Sequence, residues 1–197
     1  MILTRWAHKG NIAMMTFELP YLVFGAILCG LAIMVLADRH SSRKLAQLDW
    51  NELVARLYRL NMVELSAVAT DYLTPHRGQI DLEPDVIWQF LGGYEGLKRM
   101  RENAEIMLAL AAYAQRWNFE EAVIVTERMR LDAASLRRAV RRVELGMIPA
   151  CLLRYFRLTL PLHAQEASSA YYLMRQRLLA LYETSHMSRY PTLVAAL

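Results

Sequence analysis

Cysteine, lysine and catalytic patterning are what this chain has least of. Only two cysteines occur in 197 residues, Cys29 inside an apolar run and Cys151 in an apolar helical context. That excludes a disulfide framework and a cysteine-based zinc site, and it suits a reducing cytoplasm. Lysine occurs three times against twenty arginines, with a net charge of +4. Arginine is the better residue for bidentate contacts to carboxylates and phosphates, but a coding bias toward arginine yields the same count, so composition alone assigns no ligand.

Histidine is scattered, at positions 8, 40, 76, 163 and 186, with no HExxH and no pair at ligand spacing. His163 and Glu166 sit one helical turn apart, yet a single HxxE is the pattern of an ordinary surface hydrogen bond. A di-iron bundle needs two ExxH motifs plus further glutamates, and the chain supplies at best one such motif. GxSxG, Walker and Rossmann patterns are absent, and the glycine-rich GGYEG, Gly92–Gly96, lacks both the GxxxxGK[ST] spacing and a preceding strand. No catalytic residue, cofactor or metal site is therefore expected. No stretch reads as a strand, and there is no internal repeat or low-complexity segment.

What the chain does have is one long uncharged run. From Leu19 to Ala37 nineteen residues carry no charge; as a helix they span about 28 Å, against a hydrocarbon core of roughly 30 Å. Soluble helices seldom go five turns without a polar face, so residues 19–37 are expected to form a single transmembrane helix. Pro20 is tolerated in a first turn, and Trp6 and Tyr21 suit the membrane interface. A cleaved signal peptide fits less well, because its apolar region is shorter and ends in small residues, unlike Val35-Leu36-Ala37-Asp38. Arg39, Arg43, Lys44 and Arg56 follow the run while only Arg5 and Lys9 precede it, which places residues 1–18 on the non-cytoplasmic side and the rest of the chain in the cytoplasm of a cell-membrane protein. Gly25, Ala26, Cys29 and Gly30 fall on one face with small-xxx-small spacing, a candidate packing surface for a second membrane helix. The run holds no ionisable residue and so offers no ion or proton path.

Beyond a basic linker, residues 38–48, the chain reads as all-α: a cytoplasmic bundle of about five helices over residues 49–187 and a tail, 188–197. Asp49 and Glu52 have capping-box spacing and open a helix expected to run to Leu73. Residues 75–81 form a turn, and Pro84 starts the next helix, which Gly92, Gly93 and Gly96 must kink, break or open to close packing. Ile106–Ala114 is apolar throughout and reads as the central helix, buried on all sides. A long helix follows from Asn118, closing at Gly146. Its stripe Ala122, Val125, Met129, Ala133, Leu136, Val140, Val143 and Met147 is near-heptad and suits an antiparallel hairpin with the helix before it. Pro149 and Pro161 bracket a short apolar helix containing RYFR, Arg154–Arg157; a last helix covers residues 162–186, and the apolar end TLVAAL can dock on the bundle.

The strongest polar signal is LRRAVRRVE. Arg137, Arg138, Arg141 and Arg142 recur at three- and four-residue steps and form one basic face opposite the stripe. Such a face is either solvated and balanced by Glu120, Glu121, Glu127, Asp132 and Glu144, or a site for lipid headgroups or an acidic partner. Nucleic acid is the weakest of these partners, since no aromatic-interleaved basic motif accompanies the patch. Taken together, these features point to a membrane-anchored interaction module: an adaptor, scaffold or accessory subunit that contacts membrane lipid and a protein partner or a second copy of itself. The alternatives are an anion-binding regulator built on the arginine face and an enzyme without a recognisable motif.

Overall fold

The computed structural model describes Cys29, Leu45 and residues 47–75, 82–117, 119–150, 160–185 and 188–197. The chain divides into Met1–Lys44 and Leu45–Leu197. Among the described residues no helix is long and apolar enough to cross a membrane. The expected crossing at 19–37 lies outside them except for Cys29, which is helical with a free, exposed thiol.

The described part of Leu45–Leu197 is all-helical. It holds seven helices, α1 (Trp50–Ala55), α2 (Met62–Leu73), α3 (Pro84–Leu91), α4 (Gly93–Ala114), α5 (Phe119–Ala150), α6 (Leu160–Ser185) and α7 (Tyr190–Ala196), rather than about five. Two breaks account for most of the difference. Asp49 precedes α1 in an extended conformation but makes no side-chain cap bond, so the expected capping box does not form. The helix expected to run from Asp49 to Leu73 stops at Ala55 and restarts at Met62. Asn61 caps the restart, its side chain accepting from the Val63 amide. The cause of the interruption lies on α4: fully buried Asn103 accepts from the Tyr58 N–H and donates to the Tyr58 carbonyl, both at 2.8 Å. Those backbone groups belong to the ladder of a continuous helix, and Asn103 replaces their partners.

The second break is at the glycines. Gly92 and Gly93 have φ of 69° and 64°, the left-handed region that ends α3 and starts α4. Gly96 lies so close to the chain that a Cβ there would overlap the Leu91 carbonyl oxygen. Both expected roles, a break and a close approach, occur here together.

Three further expectations are corrected. The most deeply buried stretch is Ala164–Tyr171 of α6, where only Glu166 is half-buried, rather than Ile106–Ala114: in that run Ala112 is exposed and Leu108, Ala109 and Tyr113 are half-buried. α6 packs against α2, α3, α4, α5 and α7. It can do so because Ala164, Ala167, Ser168 and Ala170 let neighbours approach, while the Ser168 and Ser169 hydroxyls donate to carbonyls three residues back at 2.9 Å and leave no polar demand on the core. Gly146 does not terminate α5, which continues to Ala150; a Cβ at Gly146 would come within 2.6 Å of Leu160 Cδ2, so the glycine admits α6 instead. Finally, the α5 stripe packs more extensively on α6 than on the preceding α4. It is buried from Ala122 to Val143 with Val125 half-buried, whereas Met147 is exposed.

The ends of the bundle follow from small local rules. Pro161 sits in the first turn of α6, where no backbone donor is needed. The expected docking of the C-terminal segment takes the form of α7, which contacts α1 and α6, with Leu193 and the following Leu197 buried. Residues 76–81, the turn, and 151–159, most of the bracketed segment with RYFR, lie outside the described residues.

Candidate functional site

α5 is 32 residues long, about 48 Å at 1.5 Å per residue. Its buried stripe faces α4 and α6, so whatever it offers to partners must lie on the opposite side. There the four sequence-identified arginines share one face but not one environment. Arg137 is half-buried at the α4 edge, with Nη1 3.5 Å from Glu105 Oε1. Arg142 leans to the α6 edge, where its Nη1 donates to Glu166 Oε2 at 3.2 Å. Arg138 folds back on its own helix, donating to the Ala134 carbonyl at 3.3 Å and Ser135 Oγ at 3.1 Å. Arg141 is exposed. The face therefore splits into two bridging arginines at its edges and two outward-facing ones along its middle.

Both edges are rich in paired charge. Toward α4, Tyr94 Oη and Arg101 Nη1 each donate to Glu144 Oε1 at 2.9 Å; that bond to a carboxylate holds the Tyr94 hydroxyl above its ordinary pKa, with burial adding to it. Toward α6, Asp132 pairs with Arg177, whose pKa is lowered by burial and then by the nearby charge of Arg128. His163 Nδ1 lies 3.5 Å from the same Glu166 oxygen that receives Arg142, so this HxxE pair belongs to an edge ion cluster. Among the described residues no group of three His, Cys, Asp or Glu side chains could hold a metal ion.

The feature that sequence reasoning missed is apolar. Ile124, Leu131 and Leu145 are 60%, 70% and 61% exposed along the outer side of α5. They stand at sequence intervals of 7 and 14, with Arg138 at the intermediate seventh position, and so lie on one side of the helix among the arginines, drifting about 20° around it per heptad. The signal was available as a second, sparser heptad phase beside the buried one. It was hidden because the first phase accounts for most of the apolar residues of the helix.

Two other features of the surface came from the tertiary fold. A cleft of about 220 Å³ opens beside the Gly92 hinge and is lined by Arg59, Asn61, Glu64, Gln89, Glu95 and Arg99 among others. Its two cations and two anions balance, and it contains no nucleophile with an adjacent base. At the C-terminal end, the Arg189 guanidinium lies over three rings, 5.1 Å from Trp50, 5.4 Å from Tyr113 and 5.2 Å from Trp117. This clamps the start of α7 onto the bundle through cation–π attraction. Beneath it Trp50 Nε1 donates to Tyr182 Oη at 3.1 Å, and Tyr182 donates to the Leu110 carbonyl at 3.0 Å.

Of the expected membrane-packing residues, Gly25, Ala26 and Gly30 lie outside the described residues, and Cys29 is exposed. Compared with known proteins, the chain matches no family model, no curated protein and no solved structure.

Proposed function

We propose that this chain is a membrane-anchored helical interaction module, an adaptor, scaffold or accessory subunit that holds a protein partner through the outer face of α5. The observation that carries the reading is the exposed stripe of Ile124, Leu131 and Leu145 set between arginines. Exposed apolar side chains lined up along a rigid helix, rimmed by charge, are the composition of a docking surface. The uncharged run from Leu19 to Ala37 and the basic residues after it support a single crossing with the bundle in the cytoplasm. The alternative reading, an anion-binding regulator, draws on Arg138 and Arg141, which face outward; it is weakened by Glu105 and Glu166, which already engage Arg137 and Arg142.

The test is purification of the full chain in mild detergent. A second protein chain, identical or different, should be retained in fixed stoichiometry and released by Leu131→Glu, while the helical circular dichroism and melting of the bundle stay close to wild type because Leu131 is exposed. A monodisperse monomer carrying a small anion instead, with Leu131→Glu without effect, would sink the reading.

A further inference from the structure

At the C-terminal end of the bundle three aromatic rings are gathered around one positive charge. Trp50 opens α1, Tyr113 stands in the last turn of α4 and Trp117 follows four residues later; the Arg189 guanidinium carbon lies 5.1, 5.4 and 5.2 Å from their ring centroids. Trp50 is 4% exposed and floors the arrangement, Tyr113 is half-buried, and Trp117, 46% exposed, opens it to solvent. Tyr113 and Trp117 meet at 59° with centroids 4.8 Å apart instead of stacking flat. Tyr113 Oη donates to Asp49 Oδ1 at 3.5 Å, which sets a carboxylate beside the rings. Arg116, exposed and 4.7 Å from the Tyr113 ring, is a second cation drawn to the same aromatic surface. Such a cage attracts cations through the negative faces of its rings.

Arginine suits this cage poorly. Its Nη1 is buried and has no hydrogen-bond acceptor among the described residues, and a charged donor taken out of water without a partner offsets part of the attraction to the rings. A lysine-type ammonium brings the same unsatisfied donors, and an anion is repelled by the ring faces. A trimethylammonium group carries the charge with no N–H to satisfy, and its methyls pack against the rings. The resident charge also sits on a long side chain rather than on the body of α7, which stays anchored by buried Leu193 and the Leu197 that follows it. Rotation about the Arg189 side-chain bonds therefore empties the cage, returns Nη1 to water and leaves α7 docked.

We propose that Trp50, Tyr113 and Trp117 form a recognition site for a trimethylammonium group of the choline class, free or carried on a lipid headgroup, with the Arg189 side chain as its resident stand-in. The site is independent of the docking role assigned to α5. Because Arg189 competes for the cage, the wild type binds such a ligand only in the fraction of molecules whose cage is empty.

Saturation-transfer NMR on the methyl protons of choline, with the full chain in a maltoside detergent at constant ionic strength, tests the site. Arg189→Ala should bind choline about tenfold or more tighter than wild type, since the competing cation is gone. Adding Trp117→Ala should weaken that binding by about tenfold or more, and the neutral isostere 3,3-dimethylbutan-1-ol should bind Arg189→Ala weaker by a similar factor. Equal affinity in wild type and Arg189→Ala, equal affinity for choline and its neutral isostere, or no transfer to choline in either background overturns the proposal. If Arg189→Ala loses helical circular dichroism, the wild type decides: its weaker transfer from choline should vanish in Trp117→Ala, and transfer that persists in that variant overturns the proposal. Liposomes then identify the source. Choline binding to Arg189→Ala that is about tenfold or more weaker in phosphatidylcholine than in neutral galactolipid supports the site with a lipid headgroup as its ligand; equal binding in the two supports it with a free amine.

Discussion

α5 and α6 are neighbours of similar length, and they pack on each other, yet they are opposite kinds of helix. α5 buries one stripe and turns charge and three large aliphatics outward. α6 is buried on nearly every side through Ala164–Tyr171, although that stretch contains Gln165, Glu166 and two serines. The difference shows that burial need not follow hydrophobicity. A helix at the centre of a bundle needs small side chains and satisfied polar groups, because the space around it is set by the neighbours it must admit.

The comparison can be broken most sharply by volume. Ala167 is fully buried among the neighbours of α6; Ala167→Leu adds three carbons where none fit and should cost about 3 kcal/mol, at the upper end of overpacking penalties. Leu131→Ala on α5 removes as many carbons and should change the stability of the monomeric bundle by less than about 0.5 kcal/mol. Equal losses in urea denaturation for the two variants would erase the distinction between the helices.

Alkaline pH sharpens it next. Burial pushes the Tyr171 and Tyr182 hydroxyls, both on α6, up to about 12, and α5 contains no tyrosine. The unfolded chain ionises these groups from about pH 10, whereas the folded chain holds their protons to higher pH. Their contribution is therefore complete below pH 10 and is lost as pH rises toward 12, on the order of 2 kcal/mol for each tyrosine. Tyr182→Phe should lower stability at neutral pH by about 1 kcal/mol, since Trp50 loses its acceptor. It should also make the decline between pH 10 and 12 markedly shallower, measured by urea melts across that range. An unchanged slope would remove α6 as its source.

The smallest effect separates arginines on α5 itself. Arg137→Gln removes a cation from beside the largely buried Glu105 and should cost about 1 kcal/mol, while Arg138→Gln should cost under about 0.5 kcal/mol because its bonds are local and exposed. Thermal melts in low salt resolve the two. Identical shifts would mean that the basic face is uniform after all.

Much of α5 was legible in advance because a one-sided helix writes its burial into its period: the stripe from Ala122 to Val143 stands where spacing put it, whereas Arg137 of the basic face is half-buried. The same logic misread Leu57 and Leu60, which continue the apolar period of residues 49–73 although the chain there is not helical. The decisive residue, Asn103, is forty-five positions away and bonds the backbone of Tyr58, a contact with no signature in local composition. Gly146 misled for a related reason. A glycine near a helix end usually marks a terminus, and here it makes room for Leu160. The candidate site divides in the same way: Arg137, Arg138, Arg141 and Arg142 were visible as a face, but their separation into edge-bridging and outward-facing pairs needed Glu105 and Glu166 from other helices.

Local chemistry by itself determined the all-helical class, the start of α3 at Pro84, an irregularity at Gly92 and Gly93, and the buried phase of α5, because each depends on φ preference or on the 3.6-residue period within one segment. Tertiary structure alone decided which helix lies at the centre, where the helix after Asp49 breaks, and which apolar side chains of α5 stay exposed. Those outcomes depend on how many neighbours surround a residue and which polar group arrives from a distant one, and neither is a property of the segment itself.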